Sequence, residues 1–126
     1  MLADAPLFAI IPAADLERAK AFYRDTLGLT ISETSPEDVT FECGGTRFGI
    51  YETPHGGQAG HTLASWKVGS LDAEMKELRD RGVAFEDYDL PGLKTVDGVA
   101  EASGMRAAWF KDSEGNILCV TEKTGD

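Results

Sequence analysis

Two cysteines, Cys43 and Cys119, and two histidines, His55 and His61, are all the thiols and imidazoles in a chain of 126 residues. Cys119 lies in the stretch DSEGNILCVTEK, where Asp112, Ser113, Gly115 and Asn116 are turn formers and residues 117–121 are β-prone. A thiol in mid-strand can be a metal ligand, a nucleophile or a small apolar filler. Strand alternation sends Ile117, Cys119 and Thr121 to one face and Leu118 and Val120 to the other. To act as a nucleophile, Cys119 needs a nearby base or cation that lowers its pKa. His61 and Arg47 fall on the same face and are the candidates. The reading we favour is a buried cysteine that packs as a small hydrophobe.

Positioning these groups takes a set of elements that occurs twice. LFAIIPA is short and apolar, as a buried strand requires. Asp15 offers a helix N-cap, and Leu16, Ala19, Phe22, Tyr23 and Leu27 recur at helical spacing until Gly28. Strand-like runs follow at residues 29–34, 39–43 and 47–52, the last two joined at Gly44-Gly45. After the Gly-rich link TPHGGQAGH, which leaves His55 exposed, the pattern restarts. Residues 61–68 read as a strand, Ser70 as an N-cap, and Leu71, Met75 and Leu78 as a helix that Gly82 stops. Strands are expected at residues 83–88, 105–111 and 117–121. The long loop DLPGLKTVDGVAEASG lies between the first two, with a short irregular strand near Val99; loops of that length are usually functional or mobile. Leu16 and Leu71, Arg24 and Arg79, and Asp25 and Asp80 each lie 55 positions apart. The expected fold is therefore α+β: one domain of tandem βαβββ modules, about residues 5–53 and 61–123, curled around a cavity with the helices outside.

The alternating faces differ in chemistry. Ala9, Ile11, Ala13, Phe48, Ile50, Ala64, Trp66, Val68, Leu118 and Val120 form an almost wholly apolar face suited to lie under helices. Phe8, Ile10, Arg47, Gly49, Tyr51, His61, Leu63, Ser65, Ile117, Cys119 and Thr121 form a mixed face of aromatic, small and polar groups. Such a mixture suits a lined cavity. Tyr51, Tyr88, Trp109 and Phe110 are candidates to stack on a planar ligand. Of the adjacent pair Trp109 and Phe110 only one can point inward, and sequence does not choose between them.

Composition narrows the partners. A net charge of −10 argues against nucleic acid and against an anionic membrane surface, both of which need clustered Lys and Arg. It is compatible with a cationic small molecule, although solubility alone explains it; Lys94 in the long loop leaves the sign of a ligand's charge open. No run is long enough to span a membrane. The start MLADAPLF lacks the basic residues of a secretory signal, so a cytoplasmic protein with free thiols is expected.

DLERAKAFYRDTLGL resembles the first helix of the vicinal oxygen chelate superfamily, and DSEGNILCVTE resembles its Asp-Pro-Asp-Gly-Asn turn and last strand, with Ser113 in place of proline. This superfamily includes glyoxalases, fosfomycin-resistance enzymes, extradiol dioxygenases and bleomycin resistance proteins. In metal-using members four inward positions supply His, Gln or Glu to a divalent ion. The resemblance places these positions here at Phe8, Gly49, Leu63 and Cys119. Phe, Gly and Leu cannot coordinate a metal, and one cysteine cannot hold an oxygen-preferring ion. The resemblance thus implies a metal-free binder without cofactor, similar to the bleomycin resistance branch, taking an aromatic or cationic compound. The ligand-binding candidates are Phe8, Ile10, Arg47, Tyr51, His61, Leu63, Ser65, Tyr88, Trp109, Phe110 and Cys119. The alternative it implies is a glyoxalase- or dioxygenase-like enzyme, with a relocated ion on His61, Tyr51 or Glu101. A homodimer is implied as well.

Overall fold

The computed structural model describes residues 1–124. After a 3-10 turn at Leu2–Asp4, the first half runs β1 (Ala9–Ala13), α1 (Leu16–Ala21), β2 (Thr30–Thr34), β3 (Asp38–Cys43) and β4 (Thr46–Glu52). The second half runs β5 (Thr62–Lys67), α2 (Leu71–Asp80), a small hairpin of β6 (Asp89–Leu90) and β7 (Leu93–Lys94), then β8 (Ala100–Ala102), β9 (Met105–Lys111) and β10 (Ile117–Lys123). The sheets have matching orders, β1-β4-β3-β2 and β5-β10-β9-β8, and in each the first strand lies parallel to the last. The tandem βαβββ layout is borne out, built as two four-stranded sheets.

Both helices start in the same way. Asp15 accepts the Arg18 N–H at 3.1 Å, and Ser70 Oγ accepts the Ala73 N–H at 3.2 Å. A glutamate from the last strand of each sheet takes one more unpaired donor: the Leu16 N–H donates to Glu52 at 3.0 Å and the Leu71 N–H to Glu122 at 2.9 Å. Each acidic side chain also sits where the helix dipole favours negative charge. α1 continues as a π-helical segment, Phe22–Thr26, and Gly28 at φ +74° lets the chain leave it.

The helices cover the apolar face. Ile11, Ala13, Leu16, Tyr23, Phe41, Ile50, Leu71, Met75, Phe110 and Leu118 are all buried in one continuous core drawn from both halves. The turn between β9 and β10 fastens the halves together. The buried Asp112 carboxylate accepts the Tyr23 hydroxyl at 2.5 Å, the N–H groups of Glu114 and Asn116, and the Asn116 amide. Asn116 also donates to the Pro12 carbonyl at 2.8 Å. Glu114 accepts from the Asp15 N–H at 2.9 Å and from the Arg18 guanidinium at 2.7 Å. Gly57 packs so close that a Cβ there would lie 2.1 Å from the Glu114 carbonyl oxygen.

One expectation needs correction. Residues 83–88 form no strand; only an isolated bridge from Phe85 to Phe110 and the Glu86 N–H donated to the Trp109 carbonyl at 2.8 Å remain. The outer edge of β9 is shared, because β8 pairs with its first half, from Ala100↔Ala107 to Ala102↔Met105. The short irregular strand expected near Val99 is present as β8, and it takes the sheet position that β2 holds in the first half.

Candidate functional site

The mixed face is the one the helices leave uncovered. On the first sheet Phe8 is 45% exposed, Ile10 59% and Tyr51 45%, a concentration of accessible apolar surface. The Phe8 ring lies against Gly49, where a Cβ would come within 2.8 Å of Phe8 Cε1. The aromatic ring therefore occupies the space into which a side chain at position 49 would project. Arg47 faces Glu42 across β3 and β4 at 4.0 Å, with both side chains about half exposed, so the pair is weak.

On the second sheet, register settles the orientation of the β9 aromatics. Trp109 lies opposite Cys119, and Phe110 opposite Leu118. Trp109 is thus on the mixed face. Phe110 is a correction to the candidate set: it is 1% exposed and packs in the core against Trp66 and Phe85. Tyr88 meets Trp109 edge-on at 5.7 Å, and the Trp109 indole N–H donates to Thr62 at 3.1 Å. These contacts fix an aromatic corner. Ser65 and Cys119 lie side by side in the ladder. Cys119 is only 4% exposed, and burial pushes its thiol up from the ordinary value, which disfavours the thiolate a nucleophile needs. Burial also raises the Tyr88 hydroxyl, with the charge of Glu86 adding to it.

The four positions that the resemblance assigns to chelation hold no chelating set. Phe8 and Gly49 fill each other's space, Leu63 packs against the core, and Cys119 is buried without an acidic or imidazole partner. The relocated set is not assembled either. His61 is exposed, with Nδ1 3.1 Å from the Thr62 carbonyl. Glu101 pairs with Arg106 on the helix side of the sheet. No three His, Cys, Asp or Glu side chains gather into a metal site among the described residues. The residues present do not fit the superfamily's divalent ion.

β1 and β5 are the edge strands of their sheets, and the crevice where they meet is a cavity of about 690 Å³. Its lining brings together Ile10, Arg47, Leu63 and Ser65 of the candidate set with Leu7 and Lys67. Leu7 and Lys67 were missed from sequence. Lys67 continues the 61, 63, 65 alternation, so the signal was present. Phe8, Tyr51, His61, Tyr88, Trp109 and Cys119 are not part of this lining. A larger groove of about 870 Å³ lies on the opposite side, between α2 and the loop before β8. Part of its charge is paired: Arg106 bonds Asp72, Glu101 and Glu122, and Lys76 bonds Asp80. Arg79 donates to the Asp97 carbonyl at 3.2 Å, and Lys94 makes no ion pair among the described residues. The crevice is the better candidate because it gathers four residues of the candidate set, and the groove gathers none.

Residues 7–44 match a family model described as bleomycin resistance protein-like N-terminal. No curated protein matches the sequence significantly. A glyoxalase/bleomycin resistance protein/dioxygenase from Alicyclobacillus acidocaldarius superposes with a TM-score of 0.76 at 17% identity, over 98% of this chain and 94% of that one. Lactoylglutathione lyase from Agrobacterium tumefaciens gives 0.69 at 20% identity, over 96% and 95%. A fosfomycin resistance protein from Listeria monocytogenes, complexed with Mn(II) and a dihydroxypropylphosphonic acid, gives 0.67 at 18% identity, over 97% and 91%. The resemblance to the glyoxalase, bleomycin resistance and dioxygenase proteins is thus shown, at the level of fold.

Proposed function

We propose, for a chain with the fold of the glyoxalase, bleomycin resistance and dioxygenase proteins, that it binds a small aromatic molecule at the mixed face without metal-assisted chemistry, as a sequestering protein of the bleomycin resistance kind. The observation that carries this reading is the Phe8 ring seated on Gly49. Two of the four positions that would chelate an ion have become one apolar surface, partly open to solvent. Leu63 extends that character toward the crevice, and the Trp109–Tyr88 corner supplies a second aromatic wall with a fixed geometry. Pockets of this kind bind by apolar contact and use a few polar groups to orient the ligand. Both cysteines are free, which suits a reducing compartment. The exposed Phe8, Ile10 and Tyr51 support a homodimer in which a second copy covers part of this face.

The test is elemental analysis of the purified protein, then thermal shift with Zn, Mn, Ni, Co, Fe(II) and Mg. No stoichiometric metal and no saturable rise in Tm is the expected result. As a positive control, the combined substitutions Phe8→His, Leu63→His and Cys119→Glu should create a metal-dependent rise in Tm. A stoichiometric ion in the unaltered chain would overturn the proposal. Size-exclusion chromatography with light scattering tests the dimer.

A further inference from the structure

The ligand's charge can be read from the crevice, given the binding reading above. The whole chain carries −10, so a random stretch of its surface is acidic. The crevice between β1 and β5 departs from that. Its lining holds two charged side chains, Arg47 and Lys67, and both are cations. Around them lie Leu7, Ile10, Phe48 and Leu63, which are apolar. Neither cation is committed inside the molecule. Lys67 makes no ion pair among the described residues, and the only acid near Arg47 is Glu42 at 4.0 Å, half exposed. The other basic side chains that meet acids do so at closer range, such as Arg18 with Glu114 at 2.7 Å and Arg106 with Asp72 at 2.9 Å.

The backbone adds to this. Among the described residues β1 pairs only with β4, and β5 only with β10, so each presents an unpaired edge to the crevice. Free edge N–H groups donate to oxygen acceptors. Ser65, beside Lys67 on the same strand, brings a hydroxyl that can do the same.

We propose that the crevice takes an aromatic or apolar anion, with a carboxylate or an equivalent oxyacid group held between Arg47 and Lys67 and its ring directed along the apolar lining. A charge-assisted pair in a partly enclosed site is stronger than a neutral hydrogen bond, and Arg47 can bind a carboxylate in bidentate fashion. Net charge alone is compatible with a cation and leaves the sign open; the crevice favours an anion.

The experiment uses three probes of matched chain length: 2-naphthylacetate, its neutral amide, and 2-(2-naphthyl)ethylamine, titrated by calorimetry at low salt. The anion should bind about tenfold more tightly than the amide, with the amine weakest. Arg47→Gln and Lys67→Gln should each weaken the anion by roughly three- to tenfold and the amide by clearly less, so that the two probes converge. Both side chains are exposed, so far-UV circular dichroism and Tm should match the parent. Equal binding of all three probes, or tightest binding of the amine, would overturn the anion assignment alone. An equal loss for anion and amide in the variants would also overturn it, since shape rather than charge would be at work. Failure of every probe to bind would count against the binding reading and this one together.

Discussion

Replacing Glu114 by Gln should cost stability at neutral pH and almost nothing in acid. The parent carboxylate is held down to about 2 from its ordinary 4.5, chiefly by the Arg18 guanidinium, helped by the Asp15 N–H and the Ser113 hydroxyl and opposed by desolvation. The folded value lies below the unfolded one. The stabilisation is therefore complete above pH 4.5 and is lost as pH falls through that value toward 2. A displacement of that size corresponds to at most roughly 3 kcal/mol at 1.36 kcal/mol per pH unit. Because Arg18 reaches into solvent, about 2 kcal/mol is the expected share. Urea unfolding of the parent and Glu114→Gln at pH 7, 5, 4 and 3 would measure it. The gap between them should be about 2 kcal/mol at pH 7 and should narrow steadily below pH 4.5. A gap independent of pH would refute the reasoning, since a lost packing contact does not titrate.

Other substitutions probe the rest of the frame and the open face. Tyr23→Phe removes the buried hydroxyl that Asp112 accepts and should destabilise by about 1–3 kcal/mol in urea unfolding, with no effect on probe binding. Gly49→Ala pushes against the Phe8 ring, whose end can swing into solvent, so the stability cost should stay below about 1 kcal/mol while an aromatic probe binds more weakly by calorimetry. Iodoacetamide at pH 7.5, followed by peptide mass spectrometry, should label the half-buried Cys43 well before Cys119, whose thiol burial pushes up; faster labelling of Cys119 would revive its role as nucleophile.

The helices and the tandem order were legible because local rules set them. Asp15 and Ser70 cap where a short polar side chain precedes an apolar stripe, and Gly28 and Gly82 stop both helices at positive φ. The placement of Trp109 was legible in principle. The turn at residues 112–116 pairs Lys111 with Ile117, and counting back two positions on each strand puts Trp109 beside Cys119. Residues 83–88 misled because Val83 and Phe85, two positions apart, signal burial on one side, which they have, but not ladder partners, which β8 largely takes. The interlock around Asp112, Glu114 and Asn116 had no local sign beyond turn chemistry. Its partners Tyr23, Arg18 and Pro12 lie 89, 96 and 104 residues away in the chain.

That interlock also explains how the open face can vary in its side chains and the fold be kept. The constraints that join the two halves sit on the helix side: a buried carboxylate with four donors, an ion pair at the start of α1, and a glycine pressed on the turn. None of them touches Phe8, Gly49, Leu63 or Cys119. Substitution on the mixed face therefore changes what the crevice can hold without loosening what holds the sheets together. A chelating set also needs four side chains at matched distances, so losing one ligand weakens the demand on the other three. An apolar surface needs no such agreement. Phe8 can lie on Gly49 and Leu63 can turn toward the core independently, and each such change leaves a cavity whose selectivity rests on the few charges at its rim.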